Sequence, residues 1–252
     1  MKDNAIPVLQ TELLSKSFGG LAAVRDVSIM LNRGELHALI GPNGAGKSTL
    51  VNLLSGELRP TSGTITLDGR PVTGTSAPRM AQAGVARSFQ RTNIFAPLTV
   101  RENVRLAAQA IHTPTRELLR PSAAARDLDE RVAAILERFG LHQAPQRVAG
   151  TLSHGEQRLL EISMTLAGDP RVLLLDEPLA GMGNEESDSI SRLLKDLARD
   201  HAVLLIEHDM DFVFAVADRM TVMVEGSLLA SGAPAAIRAD PAVQRAYLGA
   251  MA

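Results

Sequence analysis

The chain has 252 residues, a formal net charge of −2 at pH 7 and no cysteine. The near-neutral charge argues against nucleic acid as a partner, and the lack of cysteine excludes disulfides and thiolate metal sites. A chain of this length buries a sizeable core, as one large domain or two small ones. Residues 1–7 lack the apolar segment of a signal peptide, and the longest apolar runs are too short to cross a bilayer. We therefore expect a cytoplasmic protein that needs a partner for any role at a membrane.

Two short strands are predicted first, over residues 8–14 and 23–31. Between them, the turn signal Phe18-Gly19-Gly20 places an aromatic ring in a glycine-flanked loop. Such a ring can stack on a nucleotide base, or it can be an ordinary core side chain. The residues alone leave both interpretations of Phe18 open.

One stretch matches the phosphate-binding pattern G-x-x-x-x-G-K-[ST] in full: Gly41-Pro42-Asn43-Gly44-Ala45-Gly46-Lys47-Ser48. An apolar strand pattern precedes it and a helical pattern from Thr49 follows it, which is the context that the motif requires. Glycines let backbone N–H groups converge on anionic phosphates, and the helix adds its positive end. We expect Lys47 to reach the β- and γ-phosphates and the Ser48 hydroxyl to ligate Mg²⁺. The alternative is a glycine-rich turn with a surface lysine.

Two further strands are predicted beyond this loop, over residues 63–69 and 84–90. The first closes with the turn signal Asp68-Gly69, and the second ends in the polar residue Gln90. The composition changes after Gln90, which marks a boundary in the organisation of the chain.

From Thr99 onward the pattern becomes helical. Thr99 and Glu102 form a predicted capping box at the start of one helix. Apolar residues over 128–139 recur at helical spacing on one face, and Gly140 is a stop signal. We interpret residues 91 to about 154 as a helical insertion in an α/β core.

A second capping box is predicted at Ser153-His154-Gly155-Glu156, opening a helix that stops at Gly168. The N-terminus of a helix can bind an anion. A capping serine, however, is accounted for by the cap alone. The local pattern therefore does not decide whether Ser153 binds phosphate.

Four apolar residues, 172–175, precede the acidic pair Asp176 and Glu177. This pattern is typical of a buried parallel strand that presents carboxylates at its C-terminal edge. We expect Asp176 to hold Mg²⁺ through water and Glu177 to orient or deprotonate the attacking water. A solvated helix cap is the alternative for the two acids.

A strand predicted over residues 202–206 places His208 at the same sheet edge. A histidine there can donate a hydrogen bond to the γ-phosphate, or it can cap the helix that begins at Met210. The pattern does not distinguish these roles. A final hairpin is predicted around Glu225-Gly226, and short helices follow from residue 234 to residue 248.

Taken in order, five features of the sequence resemble the ATP-binding cassette (ABC) ATPases over nearly the whole chain: the loop at 41–48, Gln90, the segment 152–156, the strand 172–177 and His208. The resemblance implies an α/β fold with a P-loop NTPase core, an antiparallel β-subdomain and a helical subdomain inserted between the glutamine loop and the signature motif. It implies one nucleotide-binding domain over residues 7–252, with the helical subdomain at approximately 91–154 and C-terminal short helices at 233–252.

The resemblance also implies roles for individual residues. Glu177, His208, Gln90 and Lys47 would be catalytic, Phe18 would stack on adenine, and Ser48, Gln90 and Asp176 would contact Mg²⁺. Ser153 and Gly155 would meet the γ-phosphate of an ATP held by a second protomer, so that two ATP molecules lie between two chains. The implied ATP-binding residues are Phe18, Gly41, Pro42, Asn43, Gly44, Ala45, Gly46, Lys47, Ser48, Thr49, Ser153 and Gly155.

A finer resemblance is carried by residues 84–91, 176–182, 206–210 and 245–249, which look like the ATPases of branched-chain amino acid importers, the larger ATPase of the pair in particular. It implies an ATPase peripheral on the inner face of the cell membrane, in a dimer with itself or a paralogue. Transmembrane permease subunits would dock on the helical insertion, and a periplasmic solute-binding protein would act indirectly. ATPases of urea importers and lipopolysaccharide exporters share much of this pattern, and a soluble ABC ATPase without a transport role is a further alternative.

Three residues depart from the family pattern. His154 and Glu156 replace the first glycine and the glutamine of the signature L-S-G-G-Q, and Gly183 stands where many members carry an aspartate that couples the two sites. None of the three alters the chemistry of a single site. These departures bear on how strongly the two ATP sites communicate across the dimer.

Overall fold

A computed structural model describes residues 7–88, 93–112, 123–180 and 182–248. Its strands are β1 (Leu9–Phe18), β2 (Leu21–Val27), β3 (Met30–Leu31), β4 (Glu35–Ile40), β5 (Ser62–Leu67), β6 (Arg70–Pro71), β7 (Val85–Arg87), β8 (Val172–Asp176), β9 (Ala202–Ile206), β10 (Arg219–Val224) and β11 (Ser227–Gly232). Its helices are α1 (Lys47–Leu54), α2 (Ala77–Gln82), α3 (Val100–His112), α4 (Ala123–Arg138), α5 (His154–Leu166), α6 (Asn184–Asp200), α7 (Met210–Val216), α8 (Pro234–Ala239) and α9 (Pro241–Leu248). Short 3-10 helices span Leu141–Gln143 and Ala149–Thr151.

The larger sheet has the strand order β11-β10-β4-β9-β8-β7. Adjacent strands in this sheet run parallel to each other, except that β10 and β11 are antiparallel and form the predicted hairpin. The strands β8 and β9 are buried along their whole length, as expected for a parallel sheet covered on both faces. Parallel pairing brings the carboxyl ends of β4, β9 and β8 to one edge of the sheet.

Side chains of β8 alternate between two apolar clusters on opposite faces of this sheet. Leu173 and Leu175 pack with α3, α4, α5 and α6 on one face. Val172 and Leu174 pack on the other face with α1 and the antiparallel sheet. The predicted α/β fold class is therefore confirmed, since helices cover one face and a second β-layer contributes to the other.

The smaller sheet is antiparallel, with the order β2-β1-β5-β6, and β3 pairs with the start of β1 on the side opposite to β5. The single strand predicted over residues 23–31 is wrong, because it is divided into β2 and β3. The register of β1 shifts beyond Leu14, and Leu13 and Asp26 both have left-handed φ angles of 47°. These irregularities direct the two halves of the segment to different stretches of β1.

Helices α3 and α4 and both short 3-10 helices lie between β7 and α5, where the helical insertion is predicted. The capping box at Thr99 is confirmed, since its N–H donates to Glu102 Oε2 at 2.8 Å and its Oγ1 accepts the Glu102 N–H at 3.2 Å. Gly140 ends α4 with a φ of 69°. Over the described stretches of the chain, every helix falls short of the length and apolar content needed to cross a bilayer.

His37 is a buried polar residue in the central strand β4. Its Nδ1 lies 3.3 Å from the Met30 carbonyl oxygen and its Nε2 lies 2.7 Å from Thr221 Oγ1. Burial lowers the pKa of His37 to about 4, Arg219 lowers it further and the Met30 bond opposes the change. The ring is therefore neutral near pH 7, with Nδ1–H donating to Met30, and its 3.6 Å contact with Glu35 is not an ion pair.

We expect His37 to make the free energy of unfolding depend on pH between 6.5 and 4. The unfolded imidazole binds a proton below its ordinary pKa of 6.5, but the folded ring binds one only near 4. Stability from the neutral ring is thus fully present above pH 6.5 and is lost as the pH falls, by about 3 kcal/mol in all. Urea unfolding measures the free energy of unfolding at each pH. Between pH 7.5 and pH 5.0, this free energy should fall by about 2 kcal/mol less in His37→Gln than in the wild type.

The exposed residue His142 provides the matched control for this measurement. His142→Gln should lose as much stability as the wild type between the two pH values. An undiminished loss in His37→Gln would contradict the role given to the buried ring.

Candidate active site

A cavity of about 670 Å³ lies at the edge where β4, β8 and β9 end. Among the predicted site residues, it is lined by Phe18, Asn43, Gly44, Ala45, Gly46, Lys47, Ser48, Thr49, Asp176, Glu177 and His208. Gly41 and Pro42 lie at the start of the same loop, while Ser153 and Gly155 lie at the N-terminus of α5 and do not line the cavity. Gln90 lies outside the described residues. The fold thus brings together four segments that are far apart in the sequence.

The loop between β4 and α1 requires glycine at two positions. Gly41 has a φ of 154°, and a Cβ there would lie 2.1 Å from the Met223 carbonyl oxygen. Gly46 has a φ of 99°, and its Cβ would lie 2.3 Å from the Ala23 carbonyl oxygen. Gly46 is also the N-cap of α1, so the backbone reaches the helix in a left-handed conformation that a side chain would disfavour. This loop presents the positive end of α1 to the cavity.

Lys47 is buried beneath the loop rather than extended into solvent. Its Nζ donates hydrogen bonds to the carbonyl oxygens of Gly41 at 2.5 Å and Pro42 at 3.0 Å. Burial lowers the pKa of Lys47, while the nearby carboxylates of Glu177 and Asp176 raise it. The alternative of a surface lysine is therefore wrong.

Asp176 ends β8 with its carboxylate almost fully buried. Burial raises its pKa, and the guanidinium of Arg87, with Nη2 3.6 Å from Oδ2, lowers it. The Ser48 hydroxyl lines the same cavity. One carboxylate and one hydroxyl are hard oxygen donors of the kind that Mg²⁺ takes together with water and phosphate oxygens, so these residues fit that ion.

Glu177 and His208 form a direct contact at the cavity wall. Glu177 Oε1 lies 2.7 Å from His208 Nε2, and the Glu177 N–H donates to the Ile206 carbonyl at 2.9 Å. His208 does not cap α7, because the Asp209 side chain accepts the Phe212 N–H at 3.0 Å. The two acids at 176 and 177 do not cap a helix either, since the next described helix begins at Asn184.

Phe18 is at the end of β1 and lies on the cavity wall. Its side chain is 49% exposed, so the interpretation as a core residue is wrong. The Lys16 ammonium lies 5.2 Å from the centre of the ring. Leu21, paired with Phe18 across the hairpin, is exposed and lines the same cavity. Together these residues provide an apolar surface for a flat ring.

Ser153 forms the predicted capping box at the start of α5. Its Oγ accepts the Glu156 N–H at 3.2 Å, and its N–H donates to Glu156 Oε2 at 2.7 Å. The bond from the Ser153 N–H also lowers the pKa of Glu156, and Arg147 Nη1 lies 2.9 Å from Glu156 Oε1. The glutamate that departs from the family pattern thus has a local structural role.

Arg158 is a buried residue of α5 that the sequence patterns did not single out. Its Nη2 donates to the carbonyl oxygens of Asp176 at 2.6 Å and Glu177 at 2.9 Å, and its Nη1 lies 2.5 Å from Glu161 Oε2. Arg158 therefore attaches α5 to the end of β8. Its signal in the sequence is an arginine and an acid three residues apart on an otherwise apolar helix face. Arg25 and Glu225 also line the cavity, and no pattern in the sequence indicated either of them as a site residue.

Comparison with known proteins now identifies the family. A family model described as "ABC transporter" matches residues 24–180, and a model described as "Branched-chain amino acid ATP-binding cassette transporter" matches residues 227–252. The chain belongs to the ABC transporter family. This result confirms the family resemblance predicted from the motifs.

Curated members of the ABC transporter family align with almost the whole chain. The high-affinity branched-chain amino acid transport ATP-binding protein LivG of Salmonella typhimurium is 43% identical over 96% of this chain and 98% of its own length. The BraF protein of Pseudomonas aeruginosa, which carries the same description, is 41% identical over the same shares.

Solved ABC cassettes share the fold. A nucleotide-free ATP-binding cassette from an ABC transporter has a TM-score of 0.84 and 30% identity, covering 96% of this chain and 99% of that chain. The ADP conformation of MJ1267, an ATP-binding cassette of an ABC transporter, has a TM-score of 0.85 and 29% identity, covering 97% and 100%.

We expect Phe18→Ala to weaken ATP binding by this ABC cassette by about 10-fold, because it removes a surface on which the base would stack. Phe18→Tyr keeps the ring and should bind within about 2-fold of the wild type. Titration with a fluorescent ATP analogue measures the dissociation constants. Phe95→Ala truncates another half-exposed phenylalanine and should change nothing. Unaltered affinity in Phe18→Ala would rule out the stacking role.

Proposed function

We propose that this chain is the ATP-hydrolysing subunit of an ABC importer, coupling ATP binding and hydrolysis to the uptake of branched-chain amino acids through a permease. The observation that carries the ATPase proposal is the cavity itself, which joins the phosphate-binding loop to Asp176, Glu177 and His208. The substrate proposal rests on the descriptions of LivG and BraF as branched-chain amino acid transport proteins.

In this proposal ATP lies in the cavity with its base on Phe18 and its phosphates along the loop at 41–48. Lys47 would leave the carbonyl oxygens of Gly41 and Pro42 and direct its ammonium to the β- and γ-phosphates. Backbone N–H groups of the loop would hold the phosphate oxygens. The buried ammonium would thus exchange two neutral acceptors for charged ones, which form stronger hydrogen bonds.

Glu177 is the proposed base for in-line attack of water on the γ-phosphate. Its carboxylate would orient the water and accept its proton, while His208 Nε2, now 2.7 Å from that carboxylate, would donate to a phosphate oxygen. Ser48 and Asp176 would hold Mg²⁺, which when bound supplies positive charge to the phosphates. Gln90 is proposed to contact the metal and the water.

A second chain, either a paralogue or another copy, is proposed to complete each site. Ser153 is exposed at the positive end of α5 and does not line its own chain's cavity. This placement supports a role for Ser153 and Gly155 on the γ-phosphate of a nucleotide held by the other chain. Among the residues that the structure describes, apart from the two chain neighbours of Gly183, none has an atom within 4 Å of a Cβ added there, which leaves room for the aspartate of other members.

The permease is proposed to dock beside the helical insertion. An apolar cleft of about 600 Å³ lies between α3 of the insertion and part of the core of the protein, and it can receive a helix. Residues from both sides line this cleft, among them Pro78, Val85, Ala107, Ile111 and Met164. We propose that residues 7–252 form one nucleotide-binding domain peripheral on the cytoplasmic face of the membrane, with a periplasmic solute-binding protein acting indirectly.

Glu177→Gln should lower kcat for ATP hydrolysis by about 100-fold or more and leave the affinity for ATP unchanged. The amide can still form hydrogen bonds but cannot accept the proton of the attacking water. Phosphate release and nucleotide titration measure the two quantities. Glu137→Gln changes an exposed acid of α4 in the same way and should behave like the wild type. Normal turnover in Glu177→Gln would exclude Glu177 as the base.

Purification of the tagged chain from solubilised native membranes tests the transport proposal. We expect permease subunits and a second ABC chain to be recovered with it. ATP hydrolysis by that complex should rise when a solute-binding protein loaded with a branched-chain amino acid is added. Stimulation by urea instead, or recovery of lipopolysaccharide-export components, would reassign the substrate. Recovery of ribosomes or nucleic acid without membrane protein would contradict the transport function.

A further inference from the structure

Glu207 is a buried carboxylate directly after β9, and the mechanism proposed above does not use it. Its side chain is 6% exposed. The strand β9 lies between β4, which leads into the phosphate-binding loop, and β8, which ends in Asp176. Glu207 is therefore enclosed at the centre of the sheet edge that forms the cavity, yet it does not line the cavity itself.

The two carboxylate oxygens of Glu207 hold two different segments. Oε1 accepts the N–H of Leu179 at 2.8 Å, and Oε2 accepts the N–H of His208 at 3.1 Å. Burial raises the pKa of Glu207, whereas the bonds from these two amides lower it. An ionised carboxylate is an acceptor only, so it can satisfy both amides at once.

Two hydrogen bonds tie the segment that carries Glu177 to the end of β9. The Glu177 N–H donates to the Ile206 carbonyl at 2.9 Å, and two residues later Leu179 is held by Glu207. Its φ of 49° is left-handed, a conformation that a residue other than glycine keeps only when its surroundings hold it. The backbone of the proposed base is therefore held by the same strand end at its own amide and again two residues later.

We propose that Glu207 is a positioning residue for ATP hydrolysis: by holding the Leu179 and His208 amides together, its carboxylate sets the distance between Glu177 and His208. The inference rests on the proposed ATPase function. The alternative is a solely structural role, in which the carboxylate accepts the same two hydrogen bonds but has no influence on the chemical step. The two roles differ in what they do to kcat when the protein remains folded.

The test is ATP hydrolysis by the complex with its permease, with Glu207→Gln in place of the wild-type chain. The amide offers one acceptor oxygen, and its NH₂ group faces the second amide donor, so one of the two attachments is lost. Displacement of a base or its partner should lower kcat by about 10- to 100-fold. Because Glu207 does not line the cavity, KM for ATP should stay within about 2-fold.

Glu207→Asp is the second variant, and it decides the question if Glu207→Gln fails to fold. It keeps both oxygens and the charge but is one methylene too short to hold both amides, so kcat should again fall. Asp218→Asn is the matched control, since Asp218 Oδ2 accepts the Leu36 N–H at 2.9 Å at the opposite end of β4. Its kcat should equal that of the wild type.

A fall in kcat at unchanged KM, in variants with a native circular dichroism spectrum, supports the positioning role. A kcat within about 2-fold of the wild type in either folded variant, or a fall matched by lost ATP affinity, overturns it. The variants and the wild type are compared by basal ATP hydrolysis, which is measured on the complex without added solute-binding protein. A complex that hydrolyses ATP but ignores amino acids would refute the substrate proposal while leaving this measurement intact.

Discussion

The parallel pairing of β4, β9 and β8 is the constraint on which the site depends. Register places Leu39 beside Ile206 and Asp176 beside the same Ile206, so the three strands end together. The residues that follow them enter one small volume: the phosphate-binding loop, the acidic pair and His208. Because β9 is apolar along its length and β8 is apolar up to Asp176, slipping either strand would bury polar groups at this edge without partners. The geometry of the site is therefore a consequence of core packing.

Charge is balanced at this edge by groups that compensate each other. Burial disfavours the charged forms of Lys47 and Asp176, since it lowers the pKa of the first and raises that of the second. The acids favour the charged lysine, and Arg87 favours the charged aspartate. Arg158 and Glu207 contribute in another way, because they fix the backbone that carries these groups. In the proposed mechanism, these buried ions and their hydrogen-bonded partners would stabilise developing charge on the γ-phosphate.

Sequence patterns predicted the local parts of this arrangement well, since the loop glycines, the capping box at Ser153 and the strand before Asp176 each follow from neighbouring residues. They did not predict contacts across the fold. Arg158 holds carbonyl groups eighteen residues or more away, and no periodicity encodes that pairing. The predicted strand at residues 23–31 was wrong for a related reason, because its division follows from the register of β1. The choice of Asp209 over His208 as the helix cap is local instead, because Asp209 directly precedes α7 and its side chain accepts the N–H of Phe212 three residues on.

The central claim is that this cavity holds ATP with its γ-phosphate between Lys47 and Glu177. A structure of the Glu177→Gln variant with ATP and Mg²⁺ tests it most directly. We predict that the base lies on Phe18, that the γ-phosphate contacts Lys47 Nζ and His208, and that Ser153 of a second chain contacts the same phosphate. A nucleotide bound elsewhere, or a γ-phosphate remote from residue 177, would contradict the account.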